Sequence, residues 1–212
     1  MKNKKYYALI FLLIICAGIS SCKKNTNDDG QDAGKSGVSM KINGVAWGSS
    51  INTLFTEELA HQQFGEYYHV VVGRQRLDTE DSESDVSAFN MYIIVPKAKF
   101  SNPKGTYQLM KENVMRVGDA GANFTDNTAQ GTHWYASYDP ASPSEAVGSV
   151  EITAFEIGKQ SVAGQLTDIE GYTKLSGTFQ MDLYPMDANW GPPLKITAGK
   201  FDLTSGIGFD FD

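Results

Sequence analysis

Residues 40–47 read Met-Lys-Ile-Asn-Gly-Val-Ala-Trp, and this stretch decides the fold class. Asn-Gly between alternating apolar positions is the preferred sequence of a two-residue type I′ turn, because both residues tolerate a positive φ. Such a turn places Ile42 opposite Val45 and sets the register of the strands that carry Met40 and Trp47. We therefore expect an antiparallel hairpin here, with the Trp47 ring buried on one face.

The rest of the chain continues this β pattern. Stretches with alternating or β-branched residues, bounded by Gly, Pro or Asn, predict further strands. These cover residues 67–75, 86–95, 105–109, 132–138, 149–157, 161–166, 173–184 and 194–203. We expect a turn at Gly158-Lys159 and a bulge at Gly199. Residues 53–64 could form one short helix, since Phe55 and Leu59 are spaced i, i+4.

Eight to ten short strands separated by turns predict an all-β fold, an antiparallel β-sandwich or barrel with at most one short helix. The chain has 212 residues, of which 41% are hydrophobic, so it is long enough for one domain with its own core. It has 18 Lys and Arg residues against 25 Asp and Glu residues, a formal net charge of −7. No basic surface is evident, and we expect no nucleic-acid partner.

The N-terminus carries a secretion pattern. Three lysines within residues 2–5 precede an apolar run over residues 6–17, which is shorter than the ~20 residues of a spanning helix. Ile19-Ser20-Ser21-Cys22 then resembles the lipobox of bacterial lipoproteins. We expect residues 1–21 to be a cleaved lipoprotein signal peptide and Cys22 to carry the lipid that anchors the protein. The alternative is an ordinary cleaved signal with an incidental cysteine at its edge.

The cysteine count agrees with lipidation. The chain has two cysteines, Cys16 and Cys22; the first would leave with the signal peptide and the second would be lipidated. Removing residues 1–21 takes away three lysines and leaves 15 basic against 25 acidic residues, a net charge of −10. Residues 22–37 are polar and predict a flexible tether, which leaves residues 38–212 as a single β domain. Lys23-Lys24 before Asp28-Asp29 is also similar to a surface-export tag of Bacteroidota lipoproteins, or is simply a polar linker.

Several motifs, in order, resemble a Bacteroidota lipoprotein family of unknown function. They are GVAW at 44–47, GTYQL at 105–109, GSVEITAF at 148–155, LSGTF at 175–179 and ITAGKF at 196–201. The resemblance covers about residues 39–203. Members of that family often have Asp where this chain has Glu156, and Asn where it has Ala198. The resemblance implies a location and a single β domain after a lipobox, but no reaction.

Catalytic and metal motifs are weak in this sequence. The three histidines, His61, His69 and His133, lack the close spacing of zinc ligands. Ser161 and Ser176 lie near glycines, but no G-x-S-x-G motif surrounds them. No nucleotide-binding glycine pattern is found either. We therefore expect no catalytic residues, no metal site and no cofactor.

Residues 78–85 hold five carboxylates, of which Asp81, Glu83 and Asp85 alternate as calcium ligands do. The glycine and the twelfth-position glutamate of an EF-hand loop are both missing. Carboxylates this dense repel one another and prefer solvent, so a solvated hairpin loop is the favoured interpretation over a calcium site.

Aromatic side chains supply the candidate ligand-binding residues: Trp134, Tyr135, Tyr138 and Trp190. Aromatic rings stack on the apolar faces of sugars, although Trp134 and Tyr138 share a strand face and fit a core equally well. Trp190 precedes Gly-Pro-Pro, which predicts a rigid loop packed by its own tryptophan.

We expect an outer-membrane, lipid-anchored binding module without enzymatic activity, engaging a protein or small ligand. The alternative is a carbohydrate-binding surface lipoprotein.

Overall fold

The computed structural model describes residues 37–48, 51–61, 65–77, 86–110, 116–128, 131–138, 145–161 and 168–209. They form twelve β-strands and two short 3-10 turns, Lys97–Lys99 and Ala188–Trp190. The strands are β1 (Gly37–Ile42), β2 (Val45–Gly48), β3 (Ile51–His61), β4 (Gly65–Leu77), β5 (Val86–Pro96), β6 (Gly105–Leu109), β7 (Asp119–Thr128), β8 (Gly131–Ala136), β9 (Gly148–Gln160), β10 (Ile169–Pro185), β11 (Leu194–Thr204) and β12 (Gly206–Phe209).

The twelve strands belong to one sheet, in the order β12-β3-β4-β5-β7-β6-β9-β10-β11-β1-β2. Strand β8 lies off this path and pairs with both β7 and β10. All pairings are antiparallel except that of β6 with β7, which is parallel over Gln108 and Leu109. The predicted all-β fold is confirmed, and the described residues hold twelve strands rather than eight to ten.

The sheet has two halves, one containing β4, β5 and β7 and the other containing β9, β10 and β11, and they meet at strand β3. Because Ser205 alone separates β11 from β12, the pairing of β12 with β3 joins β3 to the half that contains β10 and β11. Past Leu54, where the pairing with β12 ends, hydrogen bonds that involve side chains hold the edge of β3. The Thr56 amide donates to Gln160 Oε1 at 3.2 Å, and the Tyr172 amide donates to Thr56 Oγ1 at 3.2 Å. These bonds satisfy buried polar groups where β3 meets β9 and β10, and they give the sheet a barrel-like closure.

The predicted Asn-Gly hairpin is confirmed. Asn43 has φ 50° and Gly44 has φ 86°, as a type I′ turn requires, and Met40 pairs with Trp47. The Trp47 ring is buried and meets Phe124 edge to face, with ring centroids 5.8 Å apart. Its Nε1 donates to Ser87 Oγ at 3.0 Å, so the ring bridges from β2 to the β5–β7 half of the sheet.

The core lies between the inward sides of the two halves of the sheet. Phe89 on β5 stacks on Phe179 of β10 with centroids 5.3 Å apart, and Phe179 in turn stacks on Phe201 of β11. The inward alternation predicted for residues 173–184 is confirmed, since Leu175, Gly177, Phe179, Met181 and Leu183 are all buried. The alternation of apolar residues therefore marks the core side of this strand correctly.

The predicted helix at residues 53–64 is wrong over residues 53–61, the part of it that the structure describes. Residues 51–61 are strand β3, which pairs with β4 along its length and with β12 at its start. Its inward positions are Asn52, Leu54 and Thr56, a period of two. Two apolar residues at i, i+4 are a weak helix signal, and the ladder hydrogen bonds available from both neighbours outweigh it.

Of two further predictions in the C-terminal half, the turn at Gly158-Lys159 is wrong and the bulge at Gly199 is confirmed. Strand β9 runs through Gly158 and Lys159 without a turn, because β10 pairs with it as far as Gln160. Against β10, residues 197–198 of β11 lie opposite Gln180 alone. Against β1, residues 198–199 lie opposite Met40 alone, so the bulge includes Gly199. Ala198 takes the positive φ there, at 52°. Gly199 also lacks room for a side chain, since a β-carbon on it would lie 2.4 Å from the Phe179 ring.

Several predictions fall outside the described residues. These are Cys22 and its signal peptide, the tether before residue 37, the acidic segment 78–85 and the strand predicted at 162–166. In the part of the chain that is described, no helix is long and apolar enough to cross a membrane.

Candidate binding face

The aromatic candidates on β8 point to opposite sides of the sheet. Tyr135 points inward: it is buried, packs near Phe124 and donates its hydroxyl to the Trp190 carbonyl at 2.9 Å. Burial raises the pKa of the Tyr135 phenol, with a contribution from the Asp126 carboxylate. Trp134 points outward and is 51% exposed. The core interpretation is therefore wrong for Trp134, because the register of β8 turns its neighbour inward instead.

Trp190 lies on the same side of β8 as Tyr135. Its ring stacks on His133, with centroids 5.6 Å apart and planes 22° from parallel. The Asp187 carboxylate accepts a hydrogen bond from the Asn189 amide at 2.9 Å and shapes this loop. Loop packing by Trp190, as predicted, agrees with these contacts. The structure thus brings together Tyr135, His133 and Trp190, with Trp134 on the other side of the strand.

Tyr138 follows the end of β8 and is half-buried. Its amide donates to the Ala136 carbonyl at 2.7 Å, which turns the chain away from the strand direction. Tyr138 therefore does not continue the outward positions of β8 to which Trp134 belongs.

Trp134 instead belongs to a continuous outward surface of β3, β4, β5, β7 and β8, which we name the neutral face. Inward residues of these strands, such as Val70, Met91 and Ala122, are fully buried, and the alternate positions form the face. Cross-strand pairing arranges it in three rows: Trp134, Thr125 and Ala88; Asn123, Asn90, Gly73 and Thr53; Gly121, Tyr92, Val71 and Phe55. None of these residues carries a charge.

Two glycines allow side chains to lie across the neutral face. A β-carbon on Gly121 would lie 2.3 Å from Tyr92 Cε2 and 2.8 Å from its hydroxyl, so the tyrosine ring crosses directly over this residue. A β-carbon on Gly73 would lie 3.1 Å from Asn90 Oδ1. The Asn90 amide also donates to Asn123 Oδ1 at 3.2 Å. The Tyr92 ring and the Asn90 amide therefore lie close against the sheet backbone.

Charged side chains stand beyond the rows of the neutral face. Glu57 pairs across the strands with His69, one row past Tyr92, and Asp119 lies two residues from Gly121. Burial lowers the pKa of the His69 imidazole, against a smaller opposing effect of the Glu57 carboxylate. His69, whose ring centroid is 5.9 Å from that of Tyr92, is therefore held neutral at physiological pH.

The outward side of β1, β10, β11 and the first half of β9 has the opposite character, and we name it the charged face. It carries Lys41, Glu151, Asp182, Lys195, Lys200 and Asp202. Asp182 pairs across the strands with Lys195, and Asp202 accepts a hydrogen bond from Ser176 Oγ at 2.6 Å. These polar groups satisfy one another or water at the surface.

Each of the two candidate serines lies against an aspartate. Ser161 donates to the Asp168 carboxylate at 2.7 Å, and Ser176 donates to Asp202. Within the described ranges, no three His, Cys, Asp or Glu side chains are grouped so that they could hold a metal ion.

Sequence reasoning missed most of the neutral face. Strand β7 reads Asp-Ala-Gly-Ala-Asn-Phe-Thr-Asp-Asn-Thr and is rich in residues that disfavour strands, so its sequence alone predicts no strand. The available signal was the uncharged alternate positions of β5, which are Ala88, Asn90 and Tyr92. Their partners on β7 come from a strand that is recognisable only through pairing.

Comparison with known proteins finds no match among family models, curated protein sequences or solved structures. The resemblance to the Bacteroidota lipoprotein family therefore stays a prediction from the sequence motifs.

Proposed function

We propose that the protein is a lipid-anchored lipoprotein of the bacterial outer membrane that acts by binding, without catalysis, through its neutral face. The anchor rests on the sequence before the domain: a basic start, a short apolar run and a lipobox ending at Cys22. The polar tether before β1, which begins at Gly37, would hold the domain away from the lipid surface.

One observation carries the binding role: the contrast between the two outward surfaces of a single sheet. A solvated sheet surface ordinarily holds charged residues, as the charged face does. The neutral face has none within its three rows, although the chain carries a net charge of −7. Uncharged surface with an exposed tryptophan, Trp134 at 51%, favours contact with a ligand.

The anchor is tested by labelling cells with a palmitate analogue. Cys22→Ala removes the only thiol left after cleavage, so this variant should lose the label and remain unprocessed. Cys16→Ala is the matched control, since it alters the other cysteine inside the signal peptide and should still be labelled and cleaved. Labelled Cys22→Ala protein would overturn the lipoprotein proposal.

The binding role is tested by a photo-crosslinking amino acid placed at single positions of the full chain in living cells. Position 125, beside Trp134 on the neutral face, should give adducts of altered mobility. Position 178 on β10 is the matched control, because Thr178 is an exposed threonine of the charged face. Adducts that are absent at position 125, or equally abundant at both positions, would overturn binding through the neutral face.

A further inference from the structure

We propose, on the basis of the binding function above, that the neutral face takes an uncharged oligosaccharide, laid from Trp134 across the Asn90–Asn123 pair to Tyr92. The inference concerns the ligand class alone. It depends on the shape, the hydrogen-bonding groups and the charge of this surface.

The first element is a pair of aromatic platforms. Tyr92 is half-buried and crosses Gly121, whose missing β-carbon lets the ring lie down on the sheet. Trp134 stands 51% exposed on β8, where Met186 donates its amide to the Trp134 carbonyl at 2.9 Å. Aromatic rings with one side toward solvent stack on the C–H faces of sugar rings.

The second element is the distance between these platforms. Trp134 pairs with Thr125, and Tyr92 pairs with Gly121, so they differ by two strands across the sheet and four residues along it. Standard strand spacing and rise then separate their Cα atoms by about 16 Å. That distance suits an extended chain of several sugar rings rather than a single small molecule.

The third element is the amide pair between the platforms. The Asn90 amide donates to Asn123 at 3.2 Å. A side-chain amide offers two donors and a carbonyl with two lone pairs, and this bond uses one position of each residue. Amides of this kind hydrogen-bond hydroxyl groups as both donor and acceptor, which matches neighbouring hydroxyls on a sugar.

The fourth element is the absence of charge in the three rows of the neutral face. An anionic lipid, a nucleic acid or an acidic glycan would need cationic partners, and a basic peptide would need carboxylates. A polyhydroxylated neutral ligand can be desolvated against this surface without leaving a charge unpaired. This favours an uncharged glycan over a charged ligand.

The test uses the purified mature lipoprotein in detergent, applied to an array of immobilised uncharged oligosaccharides such as glucans, mannans and xylans. We expect binding to at least one neutral class. Trp134→Ala and Asn123→Ala should each weaken the apparent Kd roughly tenfold, as loss of a stacking or hydrogen-bonding group at a binding centre does. Thr178→Ala on the charged face and Trp190→Ala in the loop are matched controls and should bind as wild type.

Tyr92 is tested by two variants, so that a folding defect cannot mimic a lost contact. Tyr92→Phe keeps the ring over Gly121 and should retain most of the binding, whereas Tyr92→Leu should lose it while unfolding remains cooperative. Equal losses in both variants would overturn the stacking role.

The array and the crosslinking experiment separate the two proposals. No binding to neutral glycans, or binding to acidic glycans alone, overturns the ligand class; protein adducts at position 125 would then leave the binding function standing. No glycan binding together with no adducts at position 125 overturns both. Neutral-glycan binding that survives Trp134→Ala and Asn123→Ala places the ligand elsewhere and overturns the assigned surface.

Discussion

The neutral face and the charged face are outward sides of the same sheet, yet they are built differently. On the charged face, Asp182 lies across from Lys195, and Ser176 donates to Asp202, so polar groups meet one another or water. On the neutral face, Tyr92 lies over Gly121 and the Asn90 amide lies over Gly73. Glycines under flat side chains, in place of exposed charges, indicate that one surface is arranged for contact and the other for solvation.

The glycines of the two halves also differ in what surrounds them. Gly121 lies beneath a side chain at the surface, which can move aside. Gly177, in β10, faces the core, where a β-carbon would lie 2.1 Å from the Glu151 carbonyl oxygen and 2.4 Å from the Phe201 ring. A backbone atom cannot give way as a surface ring can, so substitution at the two sites should have very different consequences.

The largest expected effect separates two tryptophans, Trp47 in the core and Trp134 on the neutral face. Trp47→Ala should lower the free energy of unfolding by about 3–5 kcal/mol, because it removes a buried ring that contacts Phe124 and Ser87. Trp134→Ala should cost less than about 1 kcal/mol, since half of that side chain is already in water. Denaturant unfolding of the purified protein measures both, and similar costs would contradict the assignment of Trp134 to the surface.

The next effect compares the two glycines. Gly177→Ala should destabilise by about 3 kcal/mol because the new methyl group meets a backbone carbonyl and a core ring. Gly121→Ala should cost about 1 kcal/mol, since the Tyr92 ring can rotate outward. Both are read from the denaturant midpoint at an unchanged slope. If Gly121→Ala is the more costly of the two, the Tyr92 ring is more firmly packed than a surface platform would be.

A smaller effect lies in the bulge of β11, at the border of the charged face. Ala198 is exposed and has φ 52°, a conformation that costs a residue with a β-carbon on the order of 1–2 kcal/mol. Ala198→Gly should therefore stabilise the protein by about 0.5 kcal/mol, after the greater freedom of glycine in the unfolded chain is subtracted. Thermal unfolding measures this gain, and Ala154→Gly, an exposed position without positive φ, should be destabilising instead.

The smallest effect tests His69, which lies beside the neutral face. Burial lowers the pKa of folded His69 below its ordinary value of 6.5, so the unfolded chain takes up the proton first as the pH falls. Stability should consequently decrease from pH 7.5 to pH 5.5. The Glu57 carboxylate faces His69 from β3 and opposes this trend. His69→Gln should remove that part of the pH dependence; an unchanged profile in the variant would show that His69 is not its source.

Sequence reasoning succeeded where the signal is local. The Asn43-Gly44 turn followed from the conformations these two residues tolerate, and the structure has them at positive φ. The buried side of β10 followed from the alternation of apolar and polar residues, because side chains alternate between the two sides of any strand whatever its partner. Local signals of this kind depend on the chain itself and not on what lies beside it.

Sequence reasoning failed where pairing between distant residues decides the outcome. The spacing of apolar residues over 53–64 favours a helix, but pairing with β4 and β12 makes residues 51–61 strand β3. Strand β7 has poor strand propensity and is held by β5 and β8 on its two sides. For β8, residue types could not say whether Trp134 or Tyr135 faces inward, because both are aromatic and a one-residue change of register exchanges them.

The amino-acid sequence thus determines an all-β chain, the position of its first hairpin and the inward side of its longest strand, because turn conformation and side-chain alternation are properties of neighbouring residues. It also supplies the individual uncharged residues of β5, β7 and β8. Tertiary pairing sets Asn90 beside Asn123 and brings Tyr92 over Gly121, thirty or so positions further along the chain. A surface assembled from separate strands depends on strand order, which no local pattern encodes.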